Sequence, residues 1–319
     1  MLWQNLIFHS YLNIFCSVKR EKKAYIFAVL AVLFWSTAAS AFKISLRYLN
    51  FLQLQFYAVL TSLLILFFIL LFSRSLIYLF KIPKKQLLYS LSLGFLNPYL
   101  YYMVLFKAYS LLTAQEALVL NYLWPTILVI LSIPFLKQKI SLKSFTAILI
   151  SFSGVVVIAT RGNFKQLRFT DPLGVALALL STLIWATFWL LNVKDKKEVP
   201  IKLFLNFFSG FIFVFITVLF SDSLVIEKTT ALLGPIYVGI FEMGLTFYVW
   251  LKALTFTSNT ARISNLIYIT PFLALIFIHF VVGEPIYVST LAGLLLIISG
   301  IVLQHHFTKI SFQKLLERR

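Results

Sequence analysis

An acidic residue stands near the middle of a long apolar stretch in the second half of the chain. Glu242 lies in GPIYVGIFEMGLTFYVW, where its neighbours are uncharged. An ionised carboxylate inside a lipid bilayer is costly, so intramembrane acids usually face a cavity, a pathway or a proton relay. The alternative is a permanently neutral acid that donates one structural hydrogen bond. We take Glu242 as the candidate for coupling to protons.

Tryptophans also occupy the midpoints of apolar stretches, at Trp35, Trp124 and Trp185. Tryptophan normally prefers the membrane interface, where its N–H is hydrated. At the bilayer centre the N–H needs a partner, so the ring more often faces protein or a cavity than lipid. These residues are candidates to line a ligand cavity, and the alternative is that they only pack helix against helix.

Amide and phenol groups accompany the tryptophans. Asn97 falls at the midpoint of its run and Tyr101 follows in the same run, whereas Asn121 lies one turn before Pro125 on the same helix face. We group Asn97, Tyr101 and Asn121 with the tryptophans as candidate ligand-binding residues. For Asn121 the alternative is a hydrogen bond between helices.

Three prolines lie within the same apolar runs, at Pro98, Pro125 and Pro271. Each removes one backbone N–H and loosens a carbonyl four residues earlier. The functional interpretation is a kink that serves as a gate, and the alternative is a packing kink of the kind common in membrane helices.

The elements that carry these residues are long and apolar. Hydrophobic residues make up 61% of the chain and charged residues 12%, which is more apolar surface than one aqueous core of this size can bury. Ten runs of roughly 20 residues could each cross the bilayer as a helix. They are 24–46, 51–73, 86–107, 114–136, 142–160, 174–194, 201–221, 231–253, 261–282 and 287–307. The sequence predicts an all-α integral membrane protein with ten transmembrane helices.

Basic residues lie mostly on one side of the predicted bilayer. With a cytoplasmic N-terminus, seven of the 28 basic residues fall on the opposite face. These are Lys43, Arg47, Lys107, Arg161, Lys165, Arg168 and Lys228. The other 21 lie in segments assigned to the cytoplasm, which is the usual bias. We expect a multi-pass protein of the inner membrane with both termini in the cytoplasm.

The two ends of the chain lie outside the predicted repeats. Residues 1–23 are semi-apolar and then basic, the reverse of a signal peptide. We expect a cytoplasmic or interfacial segment there, or an over-extended start. Residues 308–319 are expected to form a basic cytoplasmic tail.

An internal repeat relates the two halves. The matched pairs include Gly94 and Gly239, Lys107 and Lys252, Tyr122 and Tyr268, Pro125 and Pro271, and Trp35 and Trp185, at offsets that drift between 145 and 150. With five spans in each half, an odd number, the second half must enter the membrane from the opposite side. This predicts two inverted five-helix repeats, an architecture of many secondary transporters. The basic 137–139 segment and the acidic 283–285 segment, at equivalent positions, agree with opposite faces.

These features resemble the EamA-type permeases of the drug/metabolite transporter (DMT) superfamily. FWST at 34–37 is similar to the first helix of that family, and IWAT at 184–187 to the sixth. Gly283-Glu284, followed by a glycine-bearing last span, resembles the close of the family's repeat. NYLWP at 121–125 resembles the fourth helix of the aromatic amino acid exporter branch.

The resemblance covers roughly 24–307 and implies two EamA-like repeats, 24–160 and 174–307, around a central cavity. It implies a secondary active exporter of small organic metabolites, most of all amino acids and among them aromatic ones, that works by alternating access. The helix faces with Trp35, Asn121, Trp124, Trp185 and Glu242 would surround the cavity. The first repeat departs from the pattern, because Lys137-Gln138 stands where Gly-Glu is expected.

Two alternatives remain. A drug or nucleotide-sugar carrier of the same superfamily is one, although a nucleotide would need basic residues at the midplane, and Lys107 and Lys252 lie at helix ends. A polytopic lipid-modifying enzyme is the other, and it would need histidine–acid or carboxylate clusters at one face. The acid pairs Asp195 with Glu198 and Asp222 with Glu227 have no histidine nearby in sequence. We therefore expect no enzymatic activity.

Few further partners are expected. The single cysteine, Cys16, and the four histidines show no metal-ligand spacing. No glycine-rich Lys-Ser/Thr phosphate loop is present, and the basic residues flank membrane spans rather than form a nucleic-acid surface. We expect no cofactor, no metal and no nucleic acid, only a small-molecule substrate and the bilayer, with a monomer or a homodimer as the assembly.

Overall fold

The first half of the chain folds into helices interrupted at defined points. A computed structural model describes residues 2–136, 142–163, 171–221 and 225–308, which contain helices and turns and no strand. The helices before the central loop are α1 (Leu2–Ser45), α2 (Phe51–Phe72), α3 (Leu76–Leu79), α4 (Lys84–Gly94), α5 (Tyr101–Leu111), α6 (Ala114–Asn121), α7 (Trp124–Leu136) and α8 (Leu142–Ala159). A π-helical segment, Phe95–Leu100, joins α4 to α5.

The second half is built in the same way. Its helices are α9 (Pro172–Asn192), α10 (Val199–Leu219), α11 (Leu233–Val238), α12 (Leu245–Phe256), α13 (Thr260–Asn265), α14 (Thr270–Phe277) and α15 (Val288–Thr308). A π-helical segment, Gly239–Gly244, joins α11 to α12, and another, Ile278–Val282, follows α14. Short 3-10 segments precede α11 and α14, at Thr229–Leu232 and Leu266–Ile269.

Seven helices of the described residues are long and apolar enough to cross a membrane. They are Arg20–Ser45, Phe51–Phe72, Ala114–Ser132, Pro172–Asn192, Val199–Leu219, Thr229–Phe256 and Arg262–Val282. Two shorter apolar helices are Phe145–Ala159 and Val288–Leu303. The predicted run 86–107 lies in α4 and α5, where Asn97, Pro98 and several tyrosines make it less apolar. The chain is therefore an all-helical, multi-pass membrane protein.

Local sequence signals fix several helix starts. Asn50 and Gln53 form a capping box at the start of α2, and Thr113 and Glu116 form one at the start of α6. Each box pairs backbone N–H groups that have no partner within the helix. At the chain start, α1 runs without a break from Leu2 to Ser45 and so includes the predicted N-terminal segment. Residues 309–319 and the basic 137–139 segment lie outside the described residues.

Each half packs its first two helices onto the other half. In the first half, α1 packs on α12 and α14, and α2 packs on the Gly239–Gly244 segment. In the second half, α9 packs on α5 and α7, and α10 packs on α4 and the Phe95–Leu100 segment. The α2–α10 and α8–α15 contacts join equivalent helices directly. The two halves therefore form one interdigitated bundle.

Two glycines allow the helices of the two halves to pack closely. A Cβ at Gly94 would collide with the backbone of α10 at the Asn206 carbonyl, and one at Gly239 would collide with α2 at the Ala58 carbonyl. Both sites need a residue without a side chain, because helix backbones approach each other there.

Candidate functional site

A cavity of about 210 Å³ lies inside the bundle and is lined by both halves of the chain. Its wall combines side chains from α1, α5, α6, α7 and α9 with others from the Gly239–Gly244 segment, α12, α13 and α15. Seven of the candidate residues chosen from the sequence lie on this wall. They are Trp35, Tyr101, Asn121, Trp124, Pro125, Trp185 and Glu242.

Three candidates lie elsewhere: Asn97, Pro98 and Pro271 are not on the wall. Asn97 is 1% exposed, and its backbone departs from helical geometry at φ −148° and ψ 119°. The following residue, Pro98, joined by a cis peptide bond, packs against Gly210 of α10. The Phe95–Leu100 segment packs on α10, and the amide of Asn97 has no hydrogen-bond partner among the described residues.

Several aromatic residues of the wall were not selected from the sequence. They are Phe42, Tyr109, Tyr122, Trp189, Trp250 and Tyr268. A rule based on span midpoints misses them because it uses depth and ignores the helix face. Trp189 follows Trp185 by four residues and so shares its face, a signal that the sequence did contain. Tyr122 and Tyr268 are a matched pair of the internal repeat.

Aromatic contacts connect the equivalent tryptophans of the two halves. The Trp185 ring stacks on Tyr101 at 4.5 Å between centroids. The ring of Phe247 lies 5.7 Å from Trp185 and 6.1 Å from Trp35, edge to face in both cases. Trp35 in turn meets Trp250 at 5.4 Å. Such ring pairs add stability beyond area burial, so they hold the wall in a defined shape.

Glu242 is the acid on this wall. It is 8% exposed, and its Oε1 accepts a hydrogen bond from the Tyr102 hydroxyl at 3.0 Å. Its Oε2 is buried and has no hydrogen-bond partner among the described residues. A buried carboxylate oxygen without a donor is unfavourable, so this oxygen is suited to accept a hydrogen bond from a ligand or to bind a proton.

Asn121 is partly occupied by the protein itself. Its Nδ2 donates to the Ser181 hydroxyl at 2.8 Å, and its Oδ1 accepts from the Tyr101 hydroxyl at 3.3 Å. These bonds connect the end of α6 to α9 and α5. The structure therefore supports the alternative in which Asn121 bonds between helices, while the residue still lies on the wall.

Pro125 and Pro271 occupy helix starts rather than helix interiors. Pro125 is the second residue of α7, after a turn at 122–123, and Pro271 is the second residue of α14, after the Leu266–Ile269 segment. A proline at this position costs no hydrogen bond, because the first N–H groups of a helix are unpaired in any case. The expected kinks are therefore breaks between two successive helices.

A set of polar residues joins the two halves at one end of the bundle. We call Gln115, Glu116, Arg161 and Glu284 the polar clasp. Glu284 accepts hydrogen bonds from the N–H groups of Ala114 and Gln115 at 2.9 and 3.3 Å. Gln115 Nε2 donates to the Pro285 carbonyl at 2.7 Å, and its Oε1 accepts from the Tyr287 N–H at 3.2 Å.

The clasp also contains an ion pair. Glu116 is buried, and its Oε1 lies 2.8 Å from Arg161 Nε. The hydrogen bond to Glu116 raises the pKa of the Arg161 guanidinium above its ordinary value. Arg262, the repeat equivalent of Glu116, is exposed. Next to the clasp, Lys43 Nζ donates to the Tyr109 carbonyl at 2.9 Å and to the Leu112 carbonyl.

The side chains of the cavity wall are mostly aromatic or aliphatic. Among the described residues, no three His, Cys, Asp or Glu side chains come together in a way that could hold a metal ion. The wall offers instead aromatic rings, a few amide and hydroxyl groups and one carboxylate. This arrangement suits non-covalent binding of a small organic molecule.

A cavity lined by membrane-spanning helices from two similar halves characterises a polytopic membrane protein with an internal cavity. Comparison with known families specifies the class. The EamA-like transporter family matches residues 22–160 and again residues 172–304. The chain belongs to the EamA-like transporter family.

Individual relatives agree with this assignment. An uncharacterized transporter of Archaeoglobus fulgidus is 28% identical over 88% of this chain and 97% of its own length. An uncharacterized transporter of Clostridium kluyveri is 27% identical over 56% of this chain, and the match spans 61% of that relative. For one of Bacillus subtilis the identity is 24%, and the match spans 62% of the relative. The chain thus aligns with less than two thirds of the last two proteins.

A solved crystal structure has the same fold. It superposes with a TM-score of 0.65 at 19% identity, covering 90% of this chain and 98% of the other. At this identity the likeness concerns the fold alone.

Proposed function

We propose that the protein is a secondary active transporter that exports small organic metabolites, with amino acids as the leading class and aromatic amino acids as its first members. The observation that carries this proposal is the internal cavity, because it joins aromatic side chains of both halves to one buried acid, Glu242. Aromatic rings suit the apolar body of such a solute, and the polar groups fix its orientation. The likeness of NYLWP at 121–125 to aromatic amino acid exporters favours the same class.

We propose that the protein lies in the inner membrane with both termini in the cytoplasm. We further propose that its ten spans form two inverted five-helix repeats, 24–160 and 174–307. Three observations support this. One family matches both halves. The first two helices of each half pack on the other half. The π-helical segments Phe95–Leu100 and Gly239–Gly244 interrupt equivalent spans.

Alternating access would rock the two repeats about the cavity. The polar clasp would hold one end closed. At another point Glu21 of α1 accepts hydrogen bonds from the hydroxyls of Thr257 and Ser258, in the α12–α13 connection, at 3.0 and 2.6 Å. These two contacts join different pairs of segments, and both are formed in this structure. Alternating access would require at least one of them to break. Glu242 would carry the proton that drives export.

The test is counterflow. Purified protein in liposomes preloaded with unlabelled phenylalanine is given labelled phenylalanine outside, with leucine, a nucleotide sugar and a cationic dye as competitors. We expect saturable uptake that phenylalanine analogues inhibit. Liposomes without protein and liposomes without internal phenylalanine are the controls. Absence of exchange for folded protein would remove the amino acid assignment.

The runner-up functions give different results in the same assay. A nucleotide-sugar carrier would be inhibited by the nucleotide sugar, and a drug carrier by the dye. The described wall contains no lysine or arginine to bind phosphates, which disfavours the nucleotide sugar. A lipid-modifying enzyme would show no exchange and would alter the lipids of the vesicle instead.

A further inference from the structure

The cavity wall carries an acidic side chain and no basic one among its described residues. The wall carries one carboxylate, Glu242, and its described residues include no lysine, arginine or histidine. We propose that the cavity recognises a protonated amino group, so that an aromatic amine without a carboxylate binds more tightly than the corresponding amino acid. This inference rests on the proposed function, because it concerns the solute that the same cavity carries.

The first argument is the free oxygen of Glu242. Oε1 is satisfied by Tyr102 at 3.0 Å, whereas Oε2 is buried without a partner among the described residues. The side chain is 8% exposed and belongs to the cavity wall. An ammonium group donates up to three hydrogen bonds and accepts none. It would satisfy Oε2 and neutralise the buried charge at the same time, and charge-assisted hydrogen bonds of this kind are the strong ones.

The second argument is the aromatic character of the wall around the acid. Trp35, Trp185 and Trp250 belong to it, and so do Tyr101 and Tyr122. The face of an aromatic ring attracts a cation, most strongly for tryptophan and when the cation is desolvated. Aromatic cages of this kind bind ammonium groups elsewhere in biology. The same rings would repel the negative charge of a carboxylate at their faces.

The third argument concerns what a substrate carboxylate would meet. Lys43 follows the wall residue Phe42, but its ammonium group already donates to the carbonyls of Tyr109 and Leu112. Trp189 offers a buried indole N–H without a described partner. Ser264 and Asn265 add further neutral donors. Neutral donors compensate poorly for the desolvation of a carboxylate, and Glu242 would repel the anion in the same small space. An amino acid would therefore lose affinity through its carboxylate.

The experiment compares three ligands that share one phenyl ring and a two-carbon chain. Phenethylamine carries only the amino group, phenylalanine carries both groups and 3-phenylpropionate carries only the carboxylate. Each is titrated against the purified full-length protein by quenching of tryptophan fluorescence, and each is tested as a competitor in counterflow. We expect phenethylamine to bind at least about tenfold more tightly than phenylalanine, a difference of about 1.4 kcal/mol, and 3-phenylpropionate not to bind.

Two variants assign the effect to residues. In Glu242→Gln the amide keeps the size of the side chain and removes the charge, so the preference for the amine should fall to about threefold or less, or about 0.65 kcal/mol. Glu227→Gln is the matched control, because Glu227 is exposed in a loop away from the wall, and it should retain the full preference. Thermal unfolding in detergent checks that both variants are folded.

Lys43 provides the decisive counter-test. If a substrate carboxylate binds near Lys43, phenylalanine will bind at least as tightly as phenethylamine, and Lys43→Gln will weaken only phenylalanine and 3-phenylpropionate. That result would overturn the inference and leave transport intact. Binding of phenethylamine without exchange of any ligand would do the reverse, sparing the inference and removing the proposed function. If none of the three ligands binds to folded protein, the inference fails.

Discussion

The two π-helical segments occupy equivalent places in the two halves and yet differ in chemistry. Asn97 in Phe95–Leu100 and Glu242 in Gly239–Gly244 are related by the offset of 145 that also relates Gly94 to Gly239. Both residues are buried polar groups. Glu242 lies on the cavity wall, whereas Asn97 lies outside it. The same interruption of a helix therefore serves the cavity in one half only.

The hydrogen-bond partner of Glu242 is equally asymmetric. Tyr102 of the first half donates to Glu242 of the second. At the offset of 145 its equivalent is Phe247, which has no hydroxyl. Asn97 correspondingly has no described partner for either polar atom of its amide. The two halves thus share backbone geometry and close helix contacts, while the carboxylate on the cavity wall occurs in one half.

The largest expected effects test the close helix contacts that the two halves share. Gly94→Leu and Gly239→Leu each place a side chain against the backbone of the opposite half. Such overpacking costs roughly 1–3 kcal/mol and sometimes more. We expect both variants to lose thermal stability to a similar extent in detergent. Gly283→Ala is a milder control, because a Cβ there meets nothing within 4 Å, although its φ of +83° adds some backbone strain. A large loss at only one of the two leucine sites would contradict the equivalence of the halves.

An intermediate effect tests the difference between the halves. Glu242→Gln should reduce counterflow at least about tenfold, or about 1.4 kcal/mol of transition-state or binding energy, and should abolish uptake driven by an imposed pH gradient. Asn97→Leu should leave exchange within about twofold and stability unchanged or higher, because replacing an unpaired buried amide by an apolar group is nearly neutral or stabilising. Unchanged transport by Glu242→Gln at every pH would remove the coupling role of this acid.

The sequence predicted how deep a residue lies in the membrane better than it predicted which way its side chain points. Hydropathy located the apolar helices, and the midpoint rule selected Trp35, Trp185 and Glu242, which do share one cavity. The same rule selected Asn97, which lies at a backbone break and outside the cavity wall. A side chain's direction after such a break depends on packing between distant segments, which no local pattern encodes.

Contacts between helix ends that are distant in sequence could likewise not be predicted from the sequence. Glu284 caps α6 of the other half through the N–H groups of Ala114 and Gln115. Glu116 is buried and pairs with Arg161, 45 residues later. Each contact requires the tertiary arrangement that brings distant segments together. Periodicity and charge counting can place these residues near a helix end, but they cannot pair them.

The smallest expected effect concerns the hydroxyl that distinguishes Tyr102 from Phe247. Tyr102→Phe removes the hydrogen bond to Glu242 Oε1 and keeps the ring, which packs on Tyr101 and Phe106 at 4.8 and 5.3 Å. A single hydrogen bond contributes about 1 kcal/mol, and the carboxylate can still bind a ligand through Oε2. We therefore expect phenethylamine affinity to change about threefold or less, measured by fluorescence titration.

The matched control for this variant is Tyr237→Phe, which removes a hydroxyl that lies 2.7 Å from Thr37 Oγ1 and belongs to a residue outside the wall. It should leave affinity unchanged while costing a similar amount of stability. If Tyr102→Phe were as damaging to amine binding as Glu242→Gln, the hydroxyl itself would have to contact the ligand. The carboxylate alone would then not explain how the cavity recognises an amine.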